Sequence, residues 1–292
     1  MKKVNYHTHT YRCGHAQGNE EDMVKAAIKM GIEDLGICCH TPFPHYRKHL
    51  IQSLPAIRSI RSLASLVRAF INNGPHMRMP YNQLEDYLNK ISECQNKYRQ
   101  INIYKGLEAE GLSEYFEYYQ KLLDDGKVDY LILGHHFHKH CIHSDYYGRN
   151  HLTKKDIYQY CNDIDKAIDT KLFSYIAHPD LFLMGYHDFG IDMQTVSRRI
   201  CEKAKENHIP LEINGGGIRK GLKTIQGEKL YLYPNDHFWK IAAEVGNDVI
   251  IGFDAHNPSD FNEGMYQTLL EYAHKHHLHI IDEFTFLKGQ NH

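Results

Sequence analysis

The residues best suited to chemistry in this sequence are histidines and carboxylates that recur two positions apart. His7 and His9, Glu108 and Glu110, His136 and His138, and Asp254 and His256 share this spacing, while His40 and His178 stand singly in similar surroundings. A period of two sends both side chains to one face of an extended strand. Imidazoles and carboxylates, without paired thiolates, form a donor set suited to Zn, Mn or Fe. The donors are too many for one ion and enough for two or three, with Glu108 able to bridge. Clustered divalent ions acidify water, neutralise phosphoryl oxygens and stabilise a leaving oxygen, which is the chemistry of phosphate-ester hydrolysis.

These residues need strands to carry them. Short apolar runs predict strands over 4–10, 34–40, 102–110, 128–137, 173–178, 211–215 and 248–256. Amphipathic stretches near 19–30, 82–98, 113–125, 153–169, 192–207, 235–245 and 262–277 alternate with them as helices. Gly31 reads as a helix C-cap, and Thr153 followed by Asp156 as a helix start. Repeated βα units give either a (β/α) barrel or a doubly wound sheet. In a barrel the C-terminal strand ends meet on one face, and those are the ends that carry His, Asp and Glu here. His135 points the other way.

Composition narrows the alternatives. The 292 residues hold 34 Lys+Arg and 36 Asp+Glu, a net charge of −2. That balance argues against a stable nucleic-acid partner or a membrane-surface binder, both of which favour a basic excess. Mean hydropathy is −0.56 and apolar runs are strand-sized, far from the roughly 18 residues of a membrane span. The start, MKKVNYHTHT, lacks the apolar core of a secretory signal. Seven scattered cysteines without a C-x-x-C pair fit reduced thiols, so a cytoplasmic location is expected. Cys38 and Cys39 face opposite ways on a strand and read as core packing. No repeat, low-complexity tract or linker divides the chain, so 1–292 is expected to form one domain.

The stretch 35–84 contains no Asp or Glu but carries Arg47, Lys48, Arg58, Arg61, Arg68 and Arg78. Residues 41–80 are therefore expected to be an insertion, amphipathic over 50–71. It would either pack on the barrel or a second subunit, giving a homodimer, or form a basic lid that draws in an anion. His274, His276, His277 and His279 are expected on the surface near the last helix C-terminus. His138, His140, His143 and His151 could line a pocket mouth. Glu110 and Asp180 read either as receivers of a cationic substrate group or as ordinary loop carboxylates.

The motifs HTHT at 7–10, RCGHA with His15, CCHTPFP around His40, KGLEAE around Glu108, DYLILGHHF around His136, IAHPDL around His178 and GFDAH at 254–256 resemble the polymerase and histidinol phosphatase (PHP) family. Their order and spacing match from residue 4 to about 256. HTPFP, RMPY and GLEAE are especially similar to the stand-alone histidinol-phosphate phosphatases. The resemblance implies an α/β fold, a distorted seven-stranded (β/α)7 TIM-like barrel with a trinuclear metal centre. One metal would use His7, His9, Glu108 and Asp254, a second Glu108, His136 and His178, and a third His15, His40 and His256. His15 enters only through the resemblance. Asp254, His178 and Glu108 are the residues expected to carry catalysis.

On the substrate side the family places a basic residue just after the sixth strand, where EINGGGIRKG offers Arg219 and Lys220. Arg219 would clamp a phosphate, His40 would help to bind it, and Gly215–Gly217 would let backbone N–H groups approach the anion. A further basic residue common after the fifth-strand histidine is replaced by Leu183 and Met184. Arg12, Arg78 or Arg149 would supply that charge instead, or the substrate differs. The activity implied is a metal-dependent phosphomonoesterase acting on L-histidinol phosphate, in histidine biosynthesis. The alternatives are a phosphoesterase for a nucleotide or short oligonucleotide, and a noncatalytic metal-binding domain.

Overall fold

The computed structural model describes residues 2–47, 54, 57, 59–72, 77–138, 146–149 and 151–283. Eight parallel strands form one curled sheet: β1 (Val4–Asn5), β2 (Asp34–Ile37), β3 (Asn102–Ala109), β4 (Tyr130–Leu133), β5 (Tyr175–Ile176), β6 (Leu211–Asn214), β9 (Asp248–Gly252) and β10 (His279–Ile280), in that spatial order. A separate antiparallel hairpin, β7 (Lys223–Ile225) and β8 (Glu228–Leu230), lies between β6 and β9 in sequence. Beyond the ladders, the bridge Thr8–Ala255 joins the continuations of β1 and β9. The sheet thus curls toward the expected TIM-like barrel, with β10 as an eighth strand that sequence patterning did not anticipate.

Helices cover the outside: α1 (Glu20–Met30), α2 (Ile60–Asn72), α3 (Leu84–Lys97), α4 (Phe116–Asp124), α5 (Lys154–Asp169), α6 (Ile191–Glu206), the short α7 (Gly215–Arg219), α8 (Asp236–Val245) and α9 (Glu263–Lys275). Local sequence sets their limits. Asn19 with Asp22, and Thr153 with Asp156, form reciprocal capping boxes that satisfy first-turn N–H groups of α1 and α5. Gly31 ends α1 in the left-handed conformation, as expected. The hairpin turns on Gln226 and Gly227, both at positive φ, the geometry that joins two twisted antiparallel strands.

Inside the sheet the side chains stack in layers. Tyr130 and Ile132 share a strand face with His136, and Tyr130 packs against Tyr6 (ring centroids 6.2 Å apart) and donates to the Tyr6 carbonyl at 2.6 Å. With Val4, Cys38, Tyr175, Ala177 and Ile250 they form a buried cluster separate from the main core. Gly36 and Gly106 admit the Tyr130 ring: a Cβ would lie 1.9 Å from its hydroxyl at Gly36 and 2.3 Å from the ring at Gly106. Cys38 belongs to this inner cluster and Cys39 to the outer core, so the two do face opposite ways. All six described cysteines are buried and free, and Cys141 lies outside the described residues.

Two surface expectations change. His276 is buried, its Nε2 2.9 Å from Asp236 Oδ1, because the chain turns inward to Leu278 and β10; His274, His277 and His279 stay exposed. In the acid-free stretch α2 buries only a narrow face, with Ser62, Leu66 and Ala69 inward and Leu63, Val67 and Phe70 about half exposed. Lys48, Arg58 and much of 48–58 lie outside the described residues. Among the described residues, no helix is long and apolar enough to cross a membrane.

Candidate metal centre

The nine donors anticipated for metal converge at the C-terminal ends of the sheet. His7 Nε2 and His9 Nε2 are 3.1 Å apart, and each lies 3.3–3.6 Å from Glu108 Oε2 and Asp254 Oδ1. On the other side of Glu108, Oε1 lies 3.0 Å from His178 Nε2 and 3.5 Å from His136 Nε2. His15 Nε2 and His256 Nε2 approach to 2.8 Å, the His9 and His256 rings stack at 4.2 Å, and His40 Nδ1 stands 2.8 Å from Glu108 Oε2. Glu108 lies between all three groups.

The proton positions show why this arrangement fits cations. His7 Nδ1 faces Glu212, His136 Nδ1 faces Glu110, His15 Nδ1 faces the Cys13 carbonyl and His256 Nδ1 faces the Asp254 carbonyl, at 2.8–3.1 Å. Carbonyls and carboxylates only accept, so each Nδ1 carries a proton, and in the neutral form of each ring the Nε2 lone pair faces inward. With the rings neutral, lone pairs face lone pairs and carboxylate oxygens, an arrangement that calls for a cation between them. His9 Nδ1 and His178 Nδ1 are buried without a hydrogen-bond partner, and His40 Nδ1 and Glu108 Oε2, 2.8 Å apart, meet outside hydrogen-bond geometry. Acceptors this crowded and this poorly paired are what divalent ions bind.

Electrostatics divide the rings into two groups. Burial lowers His9 and His136 to about 3 and His15 to about 4, and holds His40 well below its ordinary value, so these rings are neutral. Burial acts the same way on His7, His178 and His256, but neighbouring carboxylates outweigh it and raise them. Burial pushes Glu108 and Asp254 up, and the surrounding imidazoles more than reverse this, so both stay ionised. The Cys13 thiol near His15 is raised to about 11 by burial and donates to the Thr10 carbonyl.

A layer of buried groups aims the donors. Glu212, not anticipated as a site residue, accepts from His7 Nδ1, from the His178 amide at 3.2 Å and from Asn214 Nδ2 at 2.7 Å. Its signal was the same period of two, Glu212 and Asn214 on β6. Glu110 accepts from His136 Nδ1 and from the amides of His136 and Phe137, and pairs with the buried Arg78 guanidinium. Of its two readings the positioning carboxylate is the one this geometry gives. Glycines clear the space: a Cβ at Gly134 would lie 2.0 Å from Glu108 Oε1, and one at Gly252 1.8 Å from Glu212 Oε1. His178 and Asp254 adopt positive φ (31° and 49°), backbone strain of about 1–3 kcal/mol each that the surrounding contacts hold in place.

The substrate-side residues are placed differently from one another. Lys220 Nζ donates to the Tyr233 hydroxyl at 2.9 Å, and the Tyr233 ring lies 6.0 Å from the His178 ring. Arg219 donates from both terminal nitrogens to the carbonyls of Phe253 (2.8 Å) and Asp254 (2.6 Å). Gly216 and Gly217 turn their N–H groups to Asn214 Oδ1, so these amides do not form the anion cradle expected of them. Leu183 is buried in a turn at Leu181–Met184. Arg12 is bound to Glu20 and Asp86, Arg78 to Glu110, and Arg149 to Asp156 and the Tyr146 carbonyl. Each of these three arginines already has an acidic partner. Asp180 accepts from the Asn235 amide and the Trp239 indole, and burial raises its carboxyl to about 7. His138 pairs with Asp163, His151 is exposed, and His140 and His143 lie outside the described residues.

Comparison with known proteins adds a family. Residues 5–216 match the PHP domain. A Deinococcus radiodurans protein named probable histidinol-phosphatase is 24% identical over 260 residues, spanning 87% of this chain and 86% of its own. The fold matches that of a Listeria monocytogenes protein described as the putative histidinol phosphatase hisK, with TM-score 0.67 and 19% identity over 91% of this chain and 99% of the other. It also matches the histidinol phosphate phosphatase HISK of Lactococcus lactis subsp. lactis, solved with zinc, L-histidinol and phosphate, with TM-score 0.63 and 15% identity over 98% of both chains.

Proposed function

The chain belongs to the PHP domain family, and on that premise we propose that it is a metal-dependent phosphomonoesterase whose substrate is L-histidinol phosphate. The observation that carries the metal-dependent part is the set of four imidazoles whose Nδ1 protons are tied back, leaving Nε2 lone pairs turned toward one another and toward Glu108 and Asp254. The substrate itself rests on the names and contents of the relatives.

In this reading His7, His9, Glu108 and Asp254 hold one ion, Glu108, His136 and His178 a second, and His15, His40 and His256 a third, the ions being Zn, Mn or Fe. Two or three such ions would acidify an attacking water, neutralise the phosphoryl oxygens and stabilise the leaving alkoxide. The protein supplies the rest. Glu212 and Glu110 fix the ring orientations, and burial of Glu108 and the histidines keeps bulk water out. Lys220 presents a cation for the phosphate from its seat on Tyr233, and Arg219 has one N–H on each terminal nitrogen beyond those given to the backbone.

Phosphate release from L-histidinol phosphate, measured beside p-nitrophenyl phosphate with metal-loaded protein, tests the proposal. A kcat/KM above ~10⁴ M⁻¹s⁻¹ for histidinol phosphate, far above the generic ester, is expected. Slow and equal hydrolysis of both would overturn the substrate and leave the chemistry. No hydrolysis of either by protein that holds metal would overturn both.

A further inference from the structure

The segment after β6 was expected to face an anion, but its contacts face β9. A Cβ at Gly215 would lie 2.9 Å from the Phe253 carbonyl oxygen, and one at Gly216 2.4 Å from Asp254 Oδ2. Only glycines let the backbone of α7 lie this close to the turn that carries Asp254. Asn214 ties the amides of Gly216 and Gly217 to itself, which fixes α7 in that contact.

Arg219, at the end of α7, completes the arrangement. Its planar fork spans two successive carbonyls, those of Phe253 and Asp254, and its Nε lies 3.6 Å from Asp260 Oδ1. Asp260 in turn accepts from the amides of His256 (2.8 Å) and Asn257 (3.0 Å). The Asp254 carbonyl that Arg219 holds also accepts from His256 Nδ1 at 2.9 Å. Asp254 is at φ 49°, in the left-handed region a non-glycine residue leaves readily unless held.

We propose that Arg219 is a positioning residue, whose guanidinium locks the left-handed turn at Phe253 and Asp254 and so sets where the Asp254 carboxylate and the His256 ring point. This rests on the metal centre proposed above. A lysine cannot replace it, because one ammonium has neither the planar fork nor the reach to hold two carbonyls on successive peptide units.

The test is metal retention by the full-length protein dialysed against chelators of graded strength, read as zinc per chain. Arg219→Ala should weaken retention 10–100-fold, as loss of an outer partner typically does. Guanidinium ion added to Arg219→Ala should restore part of the loss, and Arg219→Lys should behave like the alanine variant. Gly216→Ala, which pushes the Asp254 carboxylate from the other side, should weaken retention without guanidinium rescue. Wild-type retention in either Arg219→Ala or Gly216→Ala would overturn the proposal, and so would loss in Arg219→Ala that guanidinium leaves untouched, which would mark a merely structural role. Wild-type protein is measured first: failure to hold any zinc would sink the metal centre itself, whereas equal retention by wild type and Arg219→Ala would sink only the role of Arg219.

Discussion

The Glu212 carboxylate accepts the Nδ1 proton of His7 at 2.8 Å, with neither residue exposed. The same carboxylate accepts the His178 amide, so one side chain supports donors that arrive on β1 and β5. Glu212→Gln keeps the size but gives His7 a neutral partner and removes the buried charge that makes the ring a better donor. Metal affinity should fall about 10–100-fold, measured by competition with a chromophoric chelator. Unchanged affinity would mean that His7 is oriented by its other neighbours.

Arg78 is the buried cation opposite Glu110. Arg78→Met leaves a buried carboxylate without its charge partner, which should destabilise the fold by about 3 kcal/mol, read from the urea midpoint. The double variant with Glu110→Gln should recover part of that loss. Simple additivity in the double-mutant cycle would deny the coupling.

A methyl group at position 134 would meet Glu108 Oε1. Gly134→Ala should therefore displace the shared carboxylate, costing about 1–3 kcal/mol in stability and on the order of 100-fold in kcat. Steady-state kinetics beside thermal unfolding check both, and wild-type turnover would show that Glu108 tolerates displacement.

Asp254→Asn and His178→Ala each remove a proposed metal donor and should lower kcat by at least about 100-fold, with far-ultraviolet circular dichroism unchanged. Normal turnover in either variant would remove that residue from the site.

Asp236 shows the acid side of stability away from the metal donors. Burial alone would raise its carboxyl, but His276, Lys275 and Tyr272 outweigh this and hold it well below its ordinary value. A depressed folded-state pKa stabilises the fold above the unfolded value of about 3.9, and the gain is lost as pH falls through the folded value. Asp236→Asn should thus be about 1.5 kcal/mol less stable than wild type at pH 7, with the gap closing below about pH 4. Urea midpoints at pH 7, 5 and 3 would show it; a gap independent of pH would assign the contact to packing.

Most of the donor set was legible in the sequence because the strand period is two and the donors sit at strand ends. His7 and His9 pair by that rule; Asp254 and His256 keep the spacing, but through a left-handed Asp254 past the end of β9. His15 lies in a loop without a period, and only the family resemblance singles it out. Glu212 obeys the rule with Asn214 but sits one layer deeper, where a search of strand ends does not look. The strand at His279–Ile280 is two residues long, too short to show a period. The hairpin was missed because Gln226–Gly227 lacks the usual Asn-Gly signal for two residues at positive φ. The arginine after β6 is singled out by the sequence as a phosphate clamp, whereas its acceptors in the structure, two carbonyls, leave no mark in a sequence.

The tyrosine layer beneath the donors has a kinetic corollary. Tyr6, Tyr130 and Tyr175 are buried inside the sheet, each N-terminal to a donor on the same strand or its continuation. A route through that layer would require the tyrosines to move, so substrate and both products are expected to share the open side of the site. Departure is then sequential: the product nearer the opening leaves first, and the one held deeper must wait for it. Inorganic phosphate, the product the proposed ions would hold, would then leave last and compete directly with the next substrate, while the alcohol would inhibit in a different pattern.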